Sequence, residues 1–195
     1  MEAKTETLKD GTKVTIRNLT LDDLDKMMKF YRSLPPEDRK YLKIDVTNRQ
    51  IVEQRIRLTE KGNVIRIIAL LKDEIIADGM LELITEEWRK HQGEIRVIVA
   101  SSYRRKRLGL IMMRELYFLA VQKNVESILV EMMRPQIGAQ KICRILGFRE
   151  EALLPDYVRD QTGESQDLII MTCNIKHLWE ELDHLYSNSD WQRCR

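Results

Sequence analysis

Residues 94–121 change hydrophobic period across a single turn. EIRVIVA, residues 94–100, is rich in β-branched residues and reads as a strand. Beyond it Leu110, Met113, Tyr117, Ala120 and Val121 recur at helical spacing, and Ile111, Met112, Phe118 and Leu119 make the other side apolar too. A helix apolar nearly all round is buried. Between strand and helix lies SSYRRKR, with Arg104, Arg105, Lys106 and Arg107 in succession. The chain must therefore bury a strand and a helix one after the other, and set four cations on the turn between them.

The rest of the chain supplies partners for that strand and helix. Residues 12–17 (TKVTIR) alternate and predict a strand. Thr20 is placed to cap a helix running to about Tyr31, with Asp22 and Asp23 in its first turn, and Pro35-Pro36 ends it. A second helix is expected over 49–58. Residues 64–71 (VIRIIALL) and 75–84 form a hairpin around Lys72-Asp73-Glu74. Further strands are expected at 127–133, 148–153 and 167–173, with a helix at 137–146 closed by Gly147. Met112, Met113, Met132 and Met133 fall at core positions and read as packing. Leu178, Leu182 and Leu185 share one face of an amphipathic tail that also carries Trp179 and Tyr186, expected to dock on its own sheet. Strands of the first half are hairpin-linked, and those of the second are separated by helices. The fold class is α/β: one mixed sheet with helices on both faces.

Composition narrows the function. A chain of 195 residues suits one domain with a real core, and no internal repeat is visible. Net charge is only +2, aromatic residues are 6%, and no basic face extends beyond the turn, which ranks a nucleic-acid role for RRKR last. No apolar stretch approaches the ~20 residues of a membrane span. MEAKTETLKD is unlike a signal peptide, and a cytoplasmic location is expected. Cys143, Cys173 and Cys194 are odd in number and widely spaced, forming neither a disulfide framework nor a metal pattern, so no metal is expected.

A basic turn at a helix N-terminus is an anion site. The first N–H groups of the helix lack intrahelical partners, and the helix dipole adds positive charge. The natural ligand is a phosphate or pyrophosphate. The stretch VIVASSYRRKRLGLIMMREL resembles the acetyl-coenzyme A signature of the GNAT superfamily of N-acetyltransferases, a strand, then R/Q-x-x-G-x-G/A, then a helix. Arg104 fits the first position and Gly109 the last, Arg107 stands where the first glycine is usual, and Tyr103 fits the bulky residue that often precedes. ILGFREE and DYVRDQTGESQDLIIM resemble the family's closing segments. LKDGTKVTIRNLTLDD is similar to the start of GNAT domains in some protein-lysine acetyltransferases.

The resemblance covers about residues 12–175. It implies a GNAT-like domain over 1–175, with a mostly antiparallel twisted sheet of about six or seven strands, followed by a helix and tail over 176–195. It implies acetyl transfer from acetyl-CoA by direct attack of a primary amine, whether a protein lysine, an N-terminus or a small amine. The pantetheine arm would pair with main chain around Val97 and Val99. The pyrophosphate would sit on Arg104, Arg105, Lys106, Arg107, Leu108, Gly109 and Leu110. Glu94 is the first candidate for the general base, Glu82 the second and His91 a distant third. The family often protonates the leaving thiolate with a tyrosine four residues before the glycine of its "GF". Here that position is Cys143, for which a core role is the better reading, and Tyr157 is an alternative donor. The protein is expected to be a monomer or homodimer. A non-catalytic acyl-CoA sensor stays open, favoured by Arg107 and Cys143.

Overall fold

Strands β3 (Val64–Leu71) and β4 (Glu74–Leu83) form the expected hairpin at the centre of the sheet. Lys72 and Asp73 both take positive φ, 47° and 67°, the geometry of a two-residue turn whose twist matches that of the strands. The structure is a computed structural model and describes residues 2–187. Around the hairpin lie β1 (Lys4–Thr7), β2 (Lys13–Asn18), β5 (Gln92–Val99), β6 (Ser127–Met133), β7 (Arg149–Arg159) and β8 (Ser165–Asn174). The sheet order is β1-β2-β3-β4-β5-β6-β8-β7. All pairs are antiparallel except β5–β6.

Eight strands exceed the six or seven expected. The addition is β1, KTET, whose side chains are mostly exposed. An edge strand needs only a backbone ladder, and its polar side chains leave no hydrophobic period to read.

Helices cover both faces, as expected. On one face α1 (Leu24–Ser33) and α3 (Arg49–Arg57) bury Met27, Val52 and Ile56 against Ile68 and Leu70. The entry to α1 is a single 3-10 turn, Leu21–Asp23. Asp23 fixes it by accepting from the Thr20 N–H at 3.0 Å and from both terminal nitrogens of Arg17 at 2.7 Å. A one-turn helix α2 (Pro36–Arg39) follows the Pro35 break.

The other face carries α4 (Leu108–Gln122), α5 (Ile137–Ile145) and α6 (Ile175–Ser187). Met112 and Leu116 of α4 meet Ile67, Leu81 and Ile95 of the sheet in one core. Gly147 closes α5 at φ 78°. Leu178 and Leu182 of α6 are fully buried in the same core, and Trp179 stacks on Tyr117 at 5.1 Å. The amphipathic helix thus docks on its own chain. Residues 188–195, including Cys194, lie outside the described residues.

Candidate active site

The parallel ladder between β5 and β6 begins at Gln92↔Ser127 and stops at Glu94↔Leu129, though both strands run on. On its other side β5 stays paired to β4 as far as Val99↔Ala77. From Ile95 onward, therefore, β5 offers one edge of main chain to the wedge between it and β6. Val97 and Val99 lie on that stretch. Their side chains pack towards the α4 core, and an edge of this kind binds through main chain alone.

The wedge leads to the basic turn. After Ala100 the chain makes one 3-10 turn, Ser101–Tyr103, then Arg104 to Arg107, then α4. Ile111 N–H is the first in the helix to reach back, to the Arg107 carbonyl at 3.0 Å. The N–H groups of Leu108, Gly109 and Leu110 precede it and belong to the unsatisfied first turn. Arg107 itself sits at φ 67°, ψ 4°, in the left-handed region. This is the position where the sequence pattern has glycine, and the turn keeps the conformation a glycine would favour with an arginine in place. Arg105 is left-handed as well, at φ 60°. A Cβ built on Gly109 would touch only Val99 Cγ2, at 3.7 Å, so α4 starts close against β5 without crowding it.

The four cations are not equivalent. Arg104 pairs with Asp38 of α2 at 2.6 Å, and its Nε donates to the Val99 carbonyl at 3.3 Å. Lys106 pairs with Asp10 at 2.9 Å and lies over the Tyr103 ring. That contact holds the Asp10 carboxyl at about 2. Arg105 and Arg107 make no ion pair among the described residues. Two of the turn's charges are committed within the chain, and two are available to an anion.

On the α1/α3 face the wedge opens into a cleft of about 240 Å³, lined among others by Tyr31, Lys43, Arg66, Asp78, Glu82 and Glu94. Glu82 and Glu94 stand opposite each other in register on β4 and β5. Glu94 Oε1 accepts from Lys43 Nζ at 2.7 Å and from Arg96 at 3.2 Å. Glu82 has no ion-pair partner among the described residues. His91 is exposed, outside the cleft lining, at the end of β5 remote from the turn. Cys143 and Tyr157 are also absent from the lining. Cys143 is 5% exposed in the opposite core beside Leu146 and Phe148, and burial pushes its thiol up to about 11. Tyr157 is 66% exposed on β7.

The floor of the cleft carries a network that the sequence reading missed. Arg66 Nη2 donates to the Tyr31 hydroxyl at 2.7 Å and to Asp78 Oδ2, and the Tyr31 hydroxyl donates to the same oxygen at 3.0 Å. Burial, aided by the Asp78 charge, raises the Tyr31 pKa. Arg66 Nε and Asp78 Oδ1 are buried and have no hydrogen-bond partner among the described residues. The signal was present: each is a charged residue inside an otherwise apolar strand run. Lys43 and Glu131, by contrast, reach the site from a loop and from β6, and nothing local in the sequence announces them.

A model of the Acetyltransferase (GNAT) family matches residues 22–148. No curated protein matches the chain in sequence. Among solved structures, RimJ of Mycobacterium smegmatis in complex with CoA-disulfide aligns at TM-score 0.75 and 17% identity, over 95% of this chain and 92% of that one. A ribosomal-protein-alanine N-acetyltransferase of Brucella melitensis aligns at TM-score 0.70 and 19% identity, over 82% and 98%. The yncA protein of Salmonella typhimurium, solved with its cofactor acetyl-CoA, aligns at TM-score 0.70 and 14% identity, over 83% and 94%. At these identities the likeness is one of fold.

Proposed function

We propose that this chain, which belongs to the acetyltransferase (GNAT) family, transfers the acetyl group of acetyl-CoA to a primary amine. The observation that carries this reading is the end of the β5–β6 ladder at Glu94↔Leu129. It leaves an open main-chain edge with a carboxylate at one end and a basic helix N-terminus at the other. The parts lie in the order that an extended thioester with a pyrophosphate tail requires.

The residues present fit that cosubstrate. Main chain of Val97 and Val99 would pair with the pantetheine arm. The N–H groups of Leu108, Gly109 and Leu110 would take the pyrophosphate, with Arg105 and Arg107 supplying charge. Arg104 and Lys106 shape the turn through Asp38 and Asp10. The thioester supplies an activated acyl group.

An alkyl amine has a reference pKa of about 10.4 and arrives protonated. A carboxylate in the cleft takes its proton, with Glu94 the first choice and Glu82, opposite it, the second. The free amine nitrogen then attacks the carbonyl carbon, the N–C bond forms, the C–S bond breaks, and the nitrogen's second proton passes to the departing thiolate, leaving a neutral amide and free coenzyme A. With Cys143 and Tyr157 outside the cleft lining, we assign the acceleration to positioning of an already activated acyl group rather than to a dedicated acid. Acceptor classes consistent with the family are a protein lysine, an N-terminal amine or a small amine; the Brucella neighbour is named for a ribosomal-protein alanine. Among the described residues no helix is long and apolar enough to cross a membrane. No group of three or more His, Cys, Asp or Glu is placed to hold a metal there. We propose a cytoplasmic enzyme acting without metal, as a monomer or homodimer.

Free-thiol release from acetyl-CoA over a panel of primary amines tests this reading. Amine-dependent release, lost in Glu94→Gln or Glu82→Gln with coenzyme A binding retained, is expected. Coenzyme A binding without release on any amine would turn the assignment to an acyl-CoA sensor.

A further inference from the structure

The cleft already contains a primary amine. Lys43, in the loop between α2 and α3, places Nζ 2.7 Å from Glu94 Oε1 and 2.7 Å from Glu131 Oε2. Those carboxylates stand on the two strands that diverge past Glu94↔Leu129. The ammonium therefore bridges the mouth of the wedge, against the carboxylate to which proton removal is assigned above.

The loop that carries it is held in place from outside the cleft. Gln161, in the turn between β7 and β8, donates its N–H to the Lys40 carbonyl and its side-chain amide to the Leu42 carbonyl, both at 2.9 Å. Asp160 in the same turn lies 3.6 Å from Lys40 Nζ. On the other side of Lys43, Ile44 and Val46 line the cleft, as does Leu42 before it. Lys43 is thus delivered on an anchored segment with apolar neighbours, and its side chain is 36% exposed. Lys29 and Lys90, on the outer surface, are 72% and 67% exposed.

We propose that Lys43 is a built-in acceptor: it occupies the acceptor ammonium's place between Glu94 and Glu131, and the enzyme acetylates it when no other amine competes. The inference rests on the acetyltransferase reading above. In the step, a Lys43 proton passes to Glu94, the Nζ–acetyl bond forms, the thioester C–S bond breaks, and the second proton shed by Nζ passes to the departing coenzyme A thiolate. The acetylated nitrogen is neutral. It releases both carboxylates, and the ammonium place becomes free for an external amine. The same geometry assigns the external acceptor as a primary ammonium at the end of a flexible aliphatic arm, the chemistry of a lysine side chain.

The test is incubation of the full chain with acetyl-CoA alone, followed by peptide mapping of acetylated lysines over time. Lys43 is expected to label at least about tenfold faster than Lys29 or Lys90, because a seated amine gains from proximity. Non-enzymatic acetylation would favour the more exposed pair. The rate per chain should not change with protein concentration, and Glu94→Gln should slow Lys43 while leaving Lys29 and Lys90 unchanged. In a second arm, Lys43→Ala should lower the apparent KM for an Nα-blocked lysine amide by about tenfold, and Lys43→Arg, which keeps a competing cation, should not. If lysine amide is acetylated while Lys43 labels no faster than Lys29 and Lys90, the inference falls and the proposed function stands. If neither Lys43 nor any added amine is acetylated, both fall.

Discussion

Arg104 Nη2 lies 2.6 Å from Asp38 Oδ2, so the first cation of the basic turn is tied to the one-turn helix after Pro35. The pair is half-exposed and competes with any anion that Arg104 could reach. Exposed pairs of this kind are worth up to about 1 kcal/mol. Asp38→Asn is therefore expected to tighten coenzyme A binding by up to about fivefold, with a steeper dependence on salt. Calorimetric titration at two ionic strengths checks it. Unchanged or weaker binding would show that Arg104 serves only to anchor the turn.

Arg107 holds φ 67° where the sequence pattern has glycine. A non-glycine residue in that region is disfavoured by about 1–2 kcal/mol, while glycine adds about 0.4–1 kcal/mol of chain entropy to the unfolded state. Arg107→Gly should thus leave stability equal or raise it by up to about 1.5 kcal/mol. One free cation is lost, but the N–H donors of α4 stay in place, so coenzyme A affinity should fall by less than about tenfold. Denaturant titration and coenzyme A titration on the same variant read both quantities. A larger loss of affinity would mean that the side chain, rather than the backbone, holds the anion.

Cys143 is buried in the core on the far side of the sheet from Glu94, with its thiol pushed up to about 11. Cys143→Ala should keep well over about a tenth of turnover, where removal of an acid catalyst costs about a hundredfold or more. Its effect should appear as a loss of about 1 kcal/mol in urea unfolding, from a small cavity. Cys143→Tyr should overpack the same core and destabilise it further. A collapse of turnover in Cys143→Ala at unchanged stability would make the thiol a proton donor.

Asp23 is almost fully buried, and its paired hydrogen bonds from Arg17 bring its carboxyl from the ordinary 3.8 to about 2. The folded value lies below the unfolded one. The pair therefore stabilises above about pH 4 and loses its contribution as pH falls towards 2. At about 1.4 kcal/mol per unit, roughly 2 kcal/mol is at stake. Stability measured against pH should drop through this window in the wild type. In Asp23→Asn the drop should shrink by about that amount, with a lower plateau at neutral pH.

How much of this was legible depended on where each signal was stored. The VIRIIALL hairpin, the buried α4, the Gly147 stop and the amphipathic α6 could all be read, because hydrophobic period and turn chemistry are local. The anion turn could be read for the same reason, as its four charges are consecutive. The edge strand β1 could not, since a backbone ladder leaves no mark on polar side chains.

The sequence by itself determined the buried strands and the long helices, the mixed sheet and the family-like strand–turn–helix. Only the tertiary structure decided which charges are spent. It paired Arg104 with Asp38 and Lys106 with Asp10, and among the described residues left Arg105 and Arg107 without ion pairs. It brought Lys43 to Glu94 and Glu131 across 51 and 88 residues of chain, and closed Arg66 and Asp78 around Tyr31. A charge's local neighbours set its helix or turn, but its electrostatic partner is whichever opposite charge the packed fold brings within about 4 Å. That distance is a property of the assembled sheet.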